Sequence, residues 1–171
     1  MDATLQPTGM LARRDAWTAD SCTIGRALET LGKRSTVLVL REAFYGATRF
    51  EEFVRRVGLS EPAIAARLKE LVEAGLLEHV DYRDPGQRTR RGYRLTEKGA
   101  DTFPVLAALL RWGDRWATDE GDGPVALRHH GCGARVGVRV TCEAGHDVGP
   151  HDLELAVNRP DRAAEGGRAG D

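Results

Sequence analysis

From residue 21 to 118, apolar positions recur at helical spacing in short blocks, and glycines close several of them. Ser21 can cap a first helix through about Leu31, with Ile24, Ala27, Leu28 and Leu31 on one face and Gly32 as the stop. "STVLVLREAFYG" follows. Ser35 is a candidate N-cap, and Val37, Leu38, Leu40, Arg41 and Phe44 suit a nearly buried helix ending at Gly46, although "VLVL" alone also suits a strand. "TRFEEFVRRVG" predicts a third helix, capped by Thr48, with Glu51 at the capping-box position and Phe50, Phe53, Val54 and Val57 on one face. After a tight turn at Gly58-Leu59 comes "SEPAIAARLKELVEAG" (60–75). Ser60 can cap it, Pro62 falls in the first turn where a missing N–H does little harm, and Gly75 sits where a left-handed terminator belongs.

The period then changes. "LLEHVDY" (76–82) alternates and is rich in strand formers, "RDPGQRTRRG" carries a Pro-Gly turn and is too polar for a core, and "YRL" resumes as a second strand. Thr96 caps a long helix predicted to reach about Thr118, with Pro104 expected to kink it or interrupt its ladder near Ala100. The expected fold class is α+β: a winged helix-turn-helix with a long C-terminal dimerisation helix, followed by a small β-rich C-terminal subdomain. The expected divisions are an N-terminal arm (1–20), the winged-helix unit (21–118), a β subdomain (119–160) after the acidic linker "DEGDGP", and a disordered tail (161–171).

On a helical wheel, Ile64, Leu68, Leu71 and Val72 of segment 60–75 share one side and must pack inward. The opposite side carries Pro62, Ala63, Ala66, Lys69, Glu70 and Glu73, with Arg67 on the flank. Short side chains in the first turns let a helix backbone approach another surface closely, such as the floor of a major groove. A helix joined by a tight turn to a second helix places that second helix in the groove, and a following hairpin is a wing. Hence helix 60–74 is the candidate reading helix, with Ser60, Glu61, Ala63, Ala66, Arg67 and Lys69 facing DNA, and hairpin 83–94 is the candidate wing, with Arg88, Arg90 and Arg91 reaching phosphates or minor groove. The plainer alternatives are a packing helix and a solvated charged loop.

Charge sharpens this reading. The net charge of −1 is uneven: Arg26 to Lys98 holds 15 Lys/Arg against 11 Asp/Glu, whereas the residues from Gly99 onward hold 8 against 12. A polyanion would meet the basic half. No run approaches the ~18 apolar residues of a membrane helix, and the start "MDATLQPTGMLARRDAW" lacks the form of a secretory signal. A cytoplasmic, nucleoid-associated protein with no membrane partner is expected.

The stretches "CTIGRALETLGKRSTVLVLREAFYGATRFEEF", "GLSEPAIAARLKELVEAGLLEHVDYRD" and "RRGYRLTEKGADTFPVLAALLRWGDRW" resemble the HxlR-type winged-helix transcriptional regulators of bacteria over about residues 21–118. The chain departs at "KRS" (33–35), where the family often carries Gly-Lys-Trp. The resemblance implies a homodimer, built largely from the first and last helices, that binds an imperfect palindrome. The last helix supports it independently. Phe103, Leu106, Leu110, Gly113 and Ala117 form one stripe, and Val105, Leu109, Trp112 and Trp116 another. Two apolar faces need two partners, so Phe103, Leu106, Leu109, Leu110, Trp112 and Trp116 are the expected dimer interface, full burial within one chain being the alternative.

Three cysteines form no paired disulfide framework. Cys22, at the start of the first helix, is a candidate redox sensor, since a helix dipole favours thiolate and the resemblance implies oxidant sensing in some members; a buried, inert cysteine opposes this. His130, Cys132, Cys142 and His146 have spacing within reach of a structural zinc, against a metal-free β subdomain; no other cofactor is required. No nucleophile–base pair, phosphate-binding loop or catalytic carboxylate pair is evident, which argues against an enzyme. The features together point to a sequence-specific DNA-binding regulator, a repressor, whose partners are double-stranded DNA, a second copy and an unidentified small-molecule or oxidant effector. The alternative is a winged-helix protein–protein interaction module with a zinc- or thiol-dependent sensing role.

Overall fold

A computed structural model describes residues 4–13, 22–119, 121 and 123–156. The chain divides into two compact units, one of residues 23–138 and one built from both chain ends, 1–22 and 139–171.

In the larger unit the helices are α1 (Thr23–Leu31), α2 (Arg34–Phe44), α3 (Phe50–Val57), α4 (Glu61–Glu73), α5 (Glu97–Ala100) and α6 (Phe103–Trp116). The core is Val39, Leu40, Ala47, Phe53, Ile64, Leu68, Leu71, Leu76 and Leu77. Of these, Phe53, Ile64, Leu68 and Leu71 lie on the inward faces that periodicity predicts for α3 and α4. Phe53 is wholly buried and meets the half-buried Tyr93 ring edge-on at 6.0 Å. Burial pushes the Tyr93 phenol above its ordinary pKa. Burying an aromatic side chain of this size contributes about 3 kcal/mol.

Helix starts differ from the sequence expectation. α2 begins at Arg34 after Lys33, so Ser35 lies inside the helix, where its Oγ accepts a 3.0 Å hydrogen bond from Arg67 Nε. α3 begins at Phe50, and Glu52, not Glu51, occupies the capping position: its carboxylate accepts from the backbone N–H of Arg49 and of Thr48 at 3.0 and 2.9 Å. The shift of one residue follows from Arg49, not Thr48, being the N-cap. Ser60 precedes α4 in extended backbone but makes no side-chain cap. Ser21 lies outside the described residues.

α4 ends as expected. Gly75 adopts φ +69°, its N–H donates to Val72 O, and the Leu76 N–H donates to Leu71 O, the paired bonds of a Schellman cap. Strands Leu77–Tyr82 and Arg90–Leu95 then pair antiparallel, Leu77 opposite Leu95 and Tyr82 opposite Arg90. The single long helix expected from Thr96 is two. α5 spans only Glu97–Ala100, and α6 restarts at Phe103 with Pro104 in its first turn. Pro104 has no N–H to give Ala100 O, so the ladder breaks where its sequence position predicted. Thr96 does cap α5, its Oγ1 accepting from Gly99 N at 3.0 Å.

The smaller unit contains one two-stranded parallel pairing. Gln6–Pro7 lies against Glu154–Leu155, with the Thr8 N–H on Leu155 O at 2.9 Å. The small β-rich subdomain expected at 119–160 has little regular strand among the described residues. Beyond that pairing, the β contacts of the C-terminal region among the described residues are isolated bridges from Arg128 to Arg135 and from Thr141 to Asp147, the first belonging to the larger unit and the second to the smaller. Glycine-containing turns use up the intervening chain, and exposed Val138 and Val140 bring no apolar face to a sheet. The divisions therefore fall differently from those expected at 20 and 119, because the arm pairs with the C-terminal segment. The tail 161–171 lies outside the described residues. No helix among the described residues is long and apolar enough to cross a membrane.

Two expectations follow. A Cβ at Gly99 would sit 2.0 Å from Leu76 O. Gly99→Ala should therefore cost at least about 1–3 kcal/mol, read from urea unfolding, whereas Gly113→Ala, with open space around it, should not. Hydrogen bonds from the Arg49 and Thr48 N–H groups hold the Glu52 carboxyl below its ordinary pKa. Its stabilisation is thus complete above the unfolded value of about 4.5 and is lost as pH falls through the lower folded value. Glu52→Gln should lose about 1 kcal/mol at neutral pH and nothing in strong acid; a loss independent of pH would contradict this account.

Candidate nucleic-acid interface

α3 is joined to α4 through Gly58, at φ +72°, and Leu59, whose half-buried side chain packs against the core. Ile64, Leu68 and Leu71 anchor α4 from beneath, and Val72 is half-buried beside them. Ser60, Glu61, Ala63, Ala66 and Lys69 are all exposed, so the N-terminal half of the helix is a surface of short side chains apart from the Glu61 carboxylate. Lys69 reaches Glu73 only loosely, at 3.7 Å.

Arg67 departs from the sequence reading. Its side chain is only 13% exposed, its Nε is bound to Ser35 Oγ, and Nη1 contacts Glu70. Glu70 in turn receives Lys33 Nζ at 3.1 Å. Arg67 thus ties α4 to the start of α2 rather than standing free at the groove-facing side. The wheel placed it on the flank, and the nearby hydroxyl and carboxylate drew it inward.

The wing arginines differ among themselves. Arg88 and Arg91 are exposed and have no hydrogen-bond or ion-pair partner among the described residues. Arg90 is 3.8 Å from Glu51 and 3.4 Å from Gln87 Oε1, both weak contacts. The hairpin tip is held by its own turn, with Gln87 N donating to Asp84 O at 3.0 Å and Arg83 Nε to Gln87 O at 2.9 Å.

A further cluster escaped the sequence reading. Arg49, at the entry to α3, binds Asp84 through Nη2 at 2.6 Å and lies 4.7 Å from the Tyr82 ring centre. The hydrogen bond and charge of Asp84 hold its guanidinium above the ordinary pKa. Arg49 therefore latches the wing to the helix-turn-helix, helped by the Tyr93 N–H on Thr48 O at 2.8 Å. Only the register of the hairpin, with Tyr82 at its last pair, could have revealed it. Arg55 was also passed over: it is exposed in the last turn of α3, has no partner among the described residues, and precedes the turn into α4.

On the expected dimer face, Val105 is 47% exposed, Leu109 49%, and Trp112 and Trp116 63% each, while α1 presents Ile24 and Leu28. Arg115 lies 4.7 Å from the Trp116 ring centre. The other stripe is partly covered: Leu106 packs against the core, while Phe103, 40% exposed, meets Phe44 at 5.5 Å between ring centres. Cys22 directly precedes α1 and is half-buried. Of the candidate metal ligands, Cys132 lies 3.2 Å from His129 rather than beside His130, and Cys142 lies 3.5 Å from His146. These pairs belong to different units, and no group of three or more His, Cys, Asp or Glu side chains among the described residues is disposed to hold a metal ion.

Known proteins share this arrangement. The HTH-type transcriptional regulators Rv3095 of Mycobacterium tuberculosis and Mb3122 of Mycobacterium bovis are each 43% identical over 119 residues, covering 70% of this chain and 74% of theirs. The fold matches the crystal structure of PA1607, a candidate transcription factor, with a TM-score of 0.73 and 32% identity over 81% of this chain and 96% of that one. It also matches PA1374 from Pseudomonas aeruginosa, a candidate transcription factor too, with a TM-score of 0.57 and 33% identity over 84% of this chain and 96% of the other. The matched family and these relatives are transcriptional regulators, not enzymes. The HxlR-like helix-turn-helix model matches residues 30–121, more than half of the sequence and every element of the winged helix from α2 onward, and the chain belongs to that family.

Proposed function

We propose that the protein is a sequence-specific DNA-binding transcriptional regulator, a repressor, that acts as a homodimer on a palindromic operator. The observation that carries this reading is the exposed, short-side-chain half of α4 in the same unit as a hairpin with two unpartnered arginines. Ser60, Glu61, Ala63 and Ala66 would approach base edges, Lys69 and Arg55 would meet phosphate, and Arg88, Arg90 and Arg91 would follow the backbone or an adjacent minor groove. Arg67 would fix the helix rather than read bases. A second copy covering Val105, Leu109, Trp112 and Trp116 would remove an apolar stripe from water. It would also set two reading helices roughly 34–36 Å apart, one turn of DNA. Occupation of the operator would exclude the transcription machinery from overlapping DNA. A protein-docking winged helix is less favoured, since the wing tip offers charge and no large apolar anchor.

Titration of the protein's own upstream DNA by fluorescence anisotropy tests this. Arg88→Ala and Arg91→Ala should each weaken binding to every sequence and lower the salt slope by about 1. Ala63→Gln should weaken the operator while sparing unrelated DNA. Affinity and salt slope unchanged by both arginine substitutions would overturn the wing assignment. Trp112→Arg should convert the dimer to monomer in sedimentation and lower operator affinity at least about tenfold; a wild-type monomer that still protects a palindrome would overturn the dimer.

A further inference from the structure

α2 and α6 do not close on each other completely. Between them lies a cavity of about 150 Å³, partly open to solvent and almost entirely apolar. One wall is Leu38, Arg41 and Phe44 of α2; the other is Phe103, Leu106 and Leu110 of α6; Ala107 lies between them, only 4% exposed. This is the inward side of α6. Apart from Leu109, which lines both, the exposed stripe of Val105, Trp112 and Trp116 belongs to the other face. A second copy on that stripe leaves the cavity's walls, all within one chain, in place.

The size and chemistry of the space define what it would take. An apolar void near this volume holds a single aromatic ring. The tilted Phe44–Phe103 pair supplies ring faces and edges. Arg41 is the one charged residue of the lining, which Tyr45 also shares. Its Nε and Nη2 donate to Glu42 Oε1 at 2.9 and 2.6 Å, and Tyr45 lies 6.0 Å away. Glu42 is buried, so Arg41 is fixed in place as its counter-ion. A guanidinium has five N–H groups, and those on Nη1 make no hydrogen bond among the described residues. They can donate to a carboxylate or phenolate at the rim while a ring fills the interior.

We propose that this cavity is an effector site for a small monocyclic aromatic acid. The effector role rests on the DNA-binding reading; the binding site does not. α2 connects the two functions. One face of it lines the cavity, while Val39 and Leu40 pack in the core beneath α4, and Ser35 receives Arg67 from α4 itself. A ring wedged against Leu38 and Phe44 would shift α2 and, with it, the seat of the reading helix.

Benzoate is the probe, with benzyl alcohol and cyclohexylmethanol as neutral comparisons and the full-length protein as receptor. Methyl-edited NMR should give intermolecular contacts from the benzoate ring to the Leu38, Leu106 and Leu110 methyls. Benzoate should bind about tenfold tighter than benzyl alcohol, a gap that Arg41→Lys narrows. Leu110→Phe, which fills the space, should abolish binding; because it could also unsettle the core, the wild-type methyl contacts stand as the independent reading. Absence of those contacts, contacts from a second chain in their place, or equal affinity for all three probes would overturn the site. Benzoate should also change operator affinity, and operator should change benzoate affinity by the same factor. Binding of both ligands without mutual effect would overturn the effector role. Benzoate bound by a protein that retains no DNA would sink the DNA-binding reading and leave the site standing.

Discussion

The carbonyl groups at the end of α4 are where the larger unit is joined. A helix leaves its last carbonyls without partners, and inside a protein they must be met. The Schellman bonds of Gly75 and Leu76 satisfy two of them. The chain after the hairpin meets the cap carbonyl and the two beyond it: Lys98 Nζ donates to Ala74 O at 2.7 Å, Thr96 Oγ1 to Gly75 O at 2.6 Å, and Thr96 N to Leu76 O at 3.1 Å. The short "TEKG" turn is therefore the clamp that returns the chain to the helix it left some twenty residues earlier. Its closeness explains why residue 99 lacks a side chain. The wing has its place because its first strand begins and its second strand ends at this clamp.

With α4 held at its C-terminus by the clamp and from beneath by Ile64, Leu68 and Leu71, its N-terminal half can be left bare. The same division of labour governs the arginines. Arg49 and Arg67 lie in ion pairs and hydrogen bonds that fix wing and helix to the rest of the unit. Arg55, Arg88 and Arg91 are left to solvent. Their long side chains keep their rotamer freedom, and their charge is left unpaired among the described residues. Local charge, rather than the near-neutral total, is thus the relevant quantity for nucleic-acid contact.

Much of the larger unit was legible because two periods dominate it. The inward faces of α3 and α4, the αL glycines at 58 and 75, the hairpin and the proline break all follow from local rules. The N-caps were less legible. Several Ser, Thr or Glu residues lie within one or two positions of each helix start, and the choice between Glu51 and Glu52 turns on which residue leaves the helical backbone first. Arg67 and Arg49 were misjudged or missed for another reason: their partners, Ser35 and Asp84, are thirty or more residues away and have no sequence signature. The same holds for the chain ends. Pairing of Gln6–Pro7 with Glu154–Leu155 is a backbone interaction between two-residue strands, too short for any alternation to announce.

α2 shows how one helix can be asked for three things at once. Thr36, Val39 and Leu40 are fully buried, Leu38 and Phe44 face the cavity, and Ser35 takes the place where the resembling family often has an aromatic side chain. A hydroxyl at that position accepts from Arg67, so a hydrogen bond joins α2 to α4 at this point. A hydrogen bond is directional where apolar packing is not, and a rotation of α2 that packing would absorb breaks it. The loss would leave Arg67 held by Glu70 of its own helix alone. In this chain the position of α2 and the setting of Arg67 on α4 are therefore coupled through one side chain.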